Sequence, residues 1–142
     1  MLPVFSCSAW LLAHTGREAE AETLLDELLA LRRENPKGLM AGYWLTVTAL
    51  TLERVGRSRA LAALDEAEGS RFLEVALAID ERRFADAART LEEIRAPQLD
   101  AETRILAARD GGAADHLARA EELLAGLGAT ARLSRLATTR SA

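Results

Sequence analysis

The sequence of 142 residues has little of what a β-sheet needs. It contains only seven valines and isoleucines, and aromatic residues make up 4% of it. Because β-branched and aromatic residues favour strands, this shortage argues against a β-sandwich, a barrel or a doubly wound α/β domain. Alanine and leucine instead occupy 54 positions, and both are strong helix formers. The composition and the length together predict one all-α domain over residues 1–142.

Cysteine is also scarce, and acidic residues outnumber basic ones. Cys7 is the single cysteine, so no intramolecular disulfide can form and a reducing compartment is expected. The net charge of −4 argues against binding nucleic acid through bulk electrostatics. The uncharged run at residues 38–52 is shorter than the roughly 20 residues that span a bilayer. We therefore expect a cytoplasmic protein with neither a nucleic-acid nor a membrane partner.

Residues that carry chemistry are few and scattered. His14 and His116 lie about a hundred residues apart, with no partner at metal-ligand spacing. No serine stands in a Gly-x-Ser-x-Gly setting, and Gly-x-x-x-x-Gly-Lys-Ser/Thr is absent. Cys7 and His14 are two helical turns apart, roughly 10 Å, which is too far for a catalytic dyad. Cys7 is expected to be a small buried residue. The sequence thus predicts no enzyme, no metal and no cofactor.

Apolar residues recur at helical spacing almost throughout, and glycine or proline interrupts them at regular points. The segment 39–55 is apolar nearly all round, so it must be covered by other helices on most sides. The predicted helices pair into four hairpins followed by a short capping helix, at residues 3–34, 39–68, 71–95, 100–125 and 129–137.

The hairpins carry an internal repeat. Ala9, Leu12 and Gly16 recur forty positions later as Ala49, Leu52 and Gly56, and an arginine follows each glycine. The segments 83–94 and 114–124 match the second half of the unit. Small residues let two helices approach closely at their crossing, and repeated hairpins of this kind stack by burying each apolar face on the next.

This pattern resembles tetratricopeptide repeats, in which a small residue, a leucine, a turn glycine and a closing proline recur. Residues 5–36 carry the resemblance best, and RRFADAARTLEEIRAP at 82–97 reads as a second helix of such a unit. The resemblance implies a right-handed α-solenoid of about four hairpins that binds a protein or peptide on its concave face. Variable spacing between the turns makes the repeats degenerate.

The segment 113–137 is similar to the closing part of the helical-repeat region in bacterial ATP-dependent transcriptional regulators of the MalT and LuxR type, and in related cyclase-linked ATPases. There a final hairpin runs into a Leu-Gly-Ala turn, here Leu127-Gly128-Ala129, and a capping helix. The resemblance implies the repeat region of a bacterial transcriptional or signalling regulator. In such regulators the repeats follow an ATPase domain and often precede a helix-turn-helix. Neither ATP hydrolysis nor DNA binding can be carried over, because this chain lacks the phosphate-loop motif and any second domain.

The first helices of such hairpins line the concave face, and their outward positions carry residue types that are common at recognition sites. Two functions stay open for them: a non-catalytic protein-interaction scaffold, or a regulatory domain that senses a small molecule in the groove. The ordinary alternative is that the aromatic residues simply pack in the core. The candidate binding residues are Trp10, His14, Tyr43, Thr46, Leu50 and Arg54.

The beginning of the first helix presents apolar residues without a polar cap. Leu2, Val4, Phe5 and Trp10 lie there, and solenoids need polar caps to remain soluble. The sequence therefore predicts either a homodimer through this end or an N-terminal region that is missing from the chain.

Overall fold

The computed structural model describes residues 2–34, 43–57, 59–61, 71–111 and 114–141. These residues form eight α-helices and no strand, so the prediction of an all-α protein is confirmed for the described ranges. The chain divides into two compact units, Met1–Arg83 and Phe84–Ala142. The helices are α1 (Leu2–His14), α2 (Glu18–Glu34), α3 (Tyr43–Arg54), α4 (Arg71–Asp80), α5 (Phe84–Glu93), α6 (Pro97–Arg109), α7 (Ala114–Gly126) and α8 (Thr130–Ser141).

Five of the helices end in the same backbone turn. After α1, the N–H of Arg17 donates to the carbonyl of Leu12, which closes a turn of six residues. Gly16 lies within this turn and has a φ of 79°. This is a Schellman motif, in which one residue must adopt the left-handed conformation that glycine takes most easily. Gly56 and Gly128 occupy that position after α3 and α7. After α4 and α5, however, the position is filled by Arg82 and Arg95, with φ of 62° and 56°.

In the first unit, α1 packs against both α2 and α3. The Ser6 and Thr48 hydroxyl oxygens are 3.1 Å apart, and Arg54 Nε donates a hydrogen bond of 3.1 Å to the carbonyl oxygen of Ala13. The two contacts join residues 42 and 41 positions apart in sequence. Since the residue numbers rise together along both helices, α1 and α3 run parallel. The two sequence repeats thus lie side by side.

Helix α3 is enclosed, as its uniformly apolar sequence predicted. Every residue from 45 to 52 is buried, including three threonines. Hydroxyl groups in an apolar interior need partners, and these find them on backbone carbonyls. Thr48 donates to Trp44 and Thr51 to Val47 within α3, whereas Thr46 donates to Phe72 of α4. The threonines therefore allow α3 to be covered on two sides, by α1 and by α4.

The second half of the predicted hairpin 39–68 lies largely outside the described residues. Where it is described, Arg59–Leu61 form a turn, with a φ of 62° at Arg59. Asp80 holds this turn: its carbonyl oxygen accepts from the N–H of Arg59, and its carboxylate from the N–H of Leu61, each at 3.1 Å. Among the described helices, α3 packs against α4.

The second unit is a run of neighbouring helices, in which α6 packs against α5 and α7, and α8 against α7. The predicted pairing within 100–125 is therefore present as α6 and α7. The predicted hairpin 71–95 combines α4 and α5, which belong to different units. The C-terminal helix predicted at 129–137 is present as α8. An apolar cluster of α6, α7 and α8 forms part of the core, and its buried members are Ala101, Ile105, Ala120, Leu124 and Leu136.

Two sets of ion pairs connect these helices. Arg132 of α8 binds both carboxylate oxygens of Glu102 on α6, at 2.7 and 2.9 Å. On another part of α6, Arg104 donates to the buried carboxylate of Asp100 at 2.7 Å and lies 3.4 Å from Glu92 of α5. Burial raises the pKa of Asp100 above its ordinary value, although the hydrogen bond from Arg104 opposes that shift. The acidic side chains of α6 thus hold arginines inside the unit.

No helix within the described ranges combines the length and the apolar character that crossing a membrane requires.

Candidate functional site

The candidate binding residues lie on α1 and α3, which run parallel. Trp10 and His14 are one turn apart on α1 and are partly buried. Their ring centroids are 3.9 Å apart, and His14 Nδ1 lies 2.9 Å from the carbonyl oxygen of Trp10. The two rings form a compact pair in the last turns of α1.

Tyr43 begins α3 and is 37% exposed. Its ring makes edge contacts with Trp44, at a centroid distance of 5.3 Å, and with Phe72 of α4, at 6.5 Å. Partial burial raises the pKa of the Tyr43 hydroxyl above its ordinary value, and the negative charge of the Cys7 thiolate adds to the shift.

Cys7 itself is exposed, so the expectation that it is buried is wrong. The reason is its place on α1: Ser6, one position away, faces α3, whereas Cys7 follows by 100° around the helix. Sequence reasoning therefore missed Cys7 as a surface residue of this site. The helical spacing of Cys7, Trp10 and His14 was the signal that could have found it, because i, i+3 and i+7 share one side of a helix.

The other three candidates are in different surroundings. Thr46 and Leu50 are buried, at 0% and 1% exposure, and the Thr46 hydroxyl points to α4. Neither contributes an accessible atom to the surface of the unit. Arg54 is partly buried and donates to the last turn of α1. Cys7, Trp10, His14 and Tyr43 are exposed or partly exposed, and we name these four residues the α1/α3 surface. Arg54 is also partly exposed, but its side chain joins α3 to α1. A binding role for any of the six candidates stays a prediction.

The α1/α3 surface combines three kinds of side-chain group. It offers aromatic rings, a thiol and an imidazole, and the α1 sequence carries no Asp, Glu, Lys or Arg. In the part of the chain that the structure describes, no group of three or more His, Cys, Asp and Glu side chains could hold a metal ion. His116, in the second unit, has its Nδ1 3.5 Å from Arg104 Nη1.

Comparison with known proteins gives no relative: the chain matches no protein-family model, no curated protein and no solved structure.

Proposed function

We propose that this chain is a non-catalytic scaffold of tetratricopeptide-like hairpins that binds a protein or peptide partner on the α1/α3 surface. The observation that carries the proposal is the parallel packing of α1 on α3, with Ser6 against Thr48 and Ala13 against Arg54. Parallel first helices, one repeat apart, are what a stack of hairpins produces. The proposed architecture is a right-handed α-solenoid.

The partly exposed rings favour recognition of another chain. Trp10 and Tyr43 are residue types that supply a large share of binding energy when a partner removes them from water. An uncharged helix such as α1 also lets a partner approach without desolvating charge. The proposal includes a regulatory setting, the repeat region of a bacterial transcriptional or signalling regulator. That part rests on the resemblance of residues 113–137, where α7 and α8 meet at the Gly128 turn.

The experiment is to purify the tagged full chain, identify a stoichiometric partner and rebuild the complex from pure components. Cys7→Glu places a charge on the exposed centre of the surface without removing any core group, and it should weaken binding about tenfold or more, as a buried unpaired charge does. Leu127→Glu is the matched control, because Leu127 is an exposed apolar residue of the second unit. Equal binding by both variants and the unchanged chain would place the partner elsewhere and contradict the proposal.

The second candidate function is sensing of a small molecule, and the Trp10–His14 ring pair favours it, since a ring ligand could stack there. A panel of metabolites titrated against tryptophan fluorescence tests it. Saturable quenching that Trp10→Ala abolishes, with the folded helix content retained, would support sensing. Quenching that survives Trp10→Ala would report Trp44 and count against it.

A further inference from the structure

Besides the α1/α3 surface, α1 exposes a second side. Val4, Ser8, Leu11 and Thr15 follow one another at spacings of four, three and four residues, so they form one stripe along the helix. Val4 is 65% exposed and Leu11 is 62% exposed, and both are large apolar residues. We name these four residues the α1 stripe. Val4 and Leu11 are not among the residues of the α1/α3 surface, and exposed apolar patches often mark contact sites.

The repeat gives the α1 stripe an exact counterpart in α3. Forty positions later the same places are held by Trp44, Thr48, Thr51 and Val55. The correspondence is set by the turns that follow, since Gly16 and Gly56 have φ of 79° and 75° and close with the same hydrogen bonds. Thr48 and Thr51 are completely buried. Leu11, which is exposed in α1, and Ser8, which is half-buried there, therefore correspond to completely buried positions in α3, whereas Trp44 and Val55 are half-buried.

The contacts of α3 show what these positions do. Thr48 meets Ser6 of α1, and Thr46, which lies on the opposite side of α3, meets α4. Ser6 is itself the repeat counterpart of Thr46. The equivalent positions Ser6 and Thr46 thus contact the following helix, α3 and α4 respectively. Thr48, on the other side of α3, contacts the preceding helix α1. In α1 the first position, Ser6, is occupied by α3, whereas the second, Ser8, belongs to the α1 stripe, whose Val4 and Leu11 are exposed.

We infer that the α1 stripe is the docking surface for a further helical hairpin of the same type, with its first helix parallel to α1. The docked helix would offer a small residue at its contact side, as Ser6 does in α1, because Ser6 is what Thr48, the counterpart of Ser8, meets. The contact of this helix with the α1 stripe would repeat the packing of α1 on α3, one hairpin earlier in the stack.

A second copy of this chain fits the stripe less well. Its matching small-residue side, around Ser6 and Ala13, is already covered by its own α3. Two copies could meet only through their two α1 stripes. That contact would differ from the packing of α1 on α3, in which Ser6 of one helix meets Thr48 of the other. The α1 stripe borders the α1/α3 surface, since Val4 and Leu11 lie three and four residues from Cys7. The tests of the inference need no binding partner, so their failure can be told apart from failure of the proposed function.

A tandem chain tests the inference. Residues 2–41 are duplicated directly before residue 2 of the full chain, which reproduces the forty-residue spacing between α1 and α3. Cys7→Ser is made in both copies, and Leu11→Cys only in the original α1, so that one thiol reports on the stripe. Labelling by a disulfide reagent should be about tenfold or more slower in the tandem than in the undoubled Cys7→Ser/Leu11→Cys chain, because a packed side chain reacts only on opening. Equal rates would overturn the inference, and so would a duplicate that fails to fold.

Thermal unfolding gives the second measurement. The tandem should melt at a higher temperature than the single chain, and Leu11→Asp in the original α1 should remove that gain. The same substitution in the single chain is the matched control, and its melting temperature should hardly change because Leu11 is exposed there. If the thiol at position 11 of the single chain becomes protected as protein concentration rises, a second copy occupies the stripe and the inference is wrong.

Discussion

Arg54 Nε donates a 3.1 Å hydrogen bond to the carbonyl oxygen of Ala13, in the last turn of α1. Carbonyls at that end of a helix have no partner within it, and a cation is favoured there by the helix dipole. One residue of the second repeat therefore completes the helix end of the first. This hydrogen bond joins the two repeats, and the spacing of residues in the sequence does not indicate it.

Arg54→Ala should lower the free energy of unfolding by about 1–2 kcal/mol, because a charged hydrogen bond to a partly buried carbonyl is lost. Urea denaturation followed by circular dichroism measures the change. Arg33→Ala is the matched control: Arg33 is an exposed arginine of α2, and its removal should cost less than about 0.5 kcal/mol. Equal losses for the two variants would show that the Ala13 contact contributes nothing.

Arg95 occupies the left-handed position of the turn after α5, with φ of 56°, and a glycine there should relieve the strain. We expect Arg95→Gly to raise the free energy of unfolding by about 0.5–1 kcal/mol, since the left-handed conformation costs a side-chain-bearing residue more than it costs glycine. Arg89→Gly, in the middle of α5 at an exposed position, should lower it by about 1 kcal/mol. The two arginine-to-glycine variants, six residues apart, should therefore change the free energy of unfolding in opposite directions. A change in the same direction would contradict the prediction.

Asp100 should make stability fall as pH rises. Its pKa is raised by burial and by the charge of Glu92, while Arg104 and Arg119 oppose the shift. A raised pKa means that the folded state holds more protons than the unfolded state, so the contribution of Asp100 is lost as pH rises from its ordinary value of 3.8 through its folded value. Asp100→Asn removes this dependence. From acid to neutral pH, the unfolding free energy of the unchanged chain should fall relative to that of Asp100→Asn. A relative rise would mean that the interaction with Arg104 outweighs burial and lowers the pKa of Asp100.

Arg132 and Glu102 should be coupled in holding α8. Both side chains are largely buried, and the hydrogen bonds to Glu102 raise the pKa of Arg132 further. A double-mutant cycle with Arg132→Met and Glu102→Gln should give a coupling energy of about 1–3 kcal/mol. Arg119 and Glu122, an exposed pair on α7, provide the control cycle, for which about 0.5 kcal/mol or less is expected. Equal coupling in the two cycles would refute the special role of the buried pair.

Tyr43 is the single tyrosine of the chain, so its titration can be read directly from ultraviolet absorbance. Burial and the Cys7 thiolate should hold its pKa above 10.0 in the folded protein. Cys7→Ser should lower that pKa in part, because burial remains and only the neighbouring charge is removed. Cys7→Ala gives the same charge change with a different side chain and should agree. No shift in either variant would place Cys7 too far from Tyr43 for the α1/α3 surface as described.

Most of the helices were predictable from the sequence, because apolar periodicity and turn glycines are local signals. The turns at Arg82 and Arg95 were harder, since an arginine carries no sign of a left-handed conformation. The candidate site was predicted only in part. Trp10, His14 and Tyr43 lie at the accessible edge of α1 and α3, but Thr46 and Leu50 are buried, and Cys7 is exposed. Whether a position in an apolar helix is covered depends on which neighbours pack there.

The sequence by itself determined that the chain is helical and where most helices end, because alanine, leucine, glycine and proline act through local backbone preferences. It also determined that two segments share a repeat. Only the tertiary structure decided that these segments lie parallel, that Thr48 meets Ser6, and that Arg54 closes the end of α1. Those contacts join residues 41 and 42 positions apart, and packing selects among long-range pairings that helical periodicity leaves equally open.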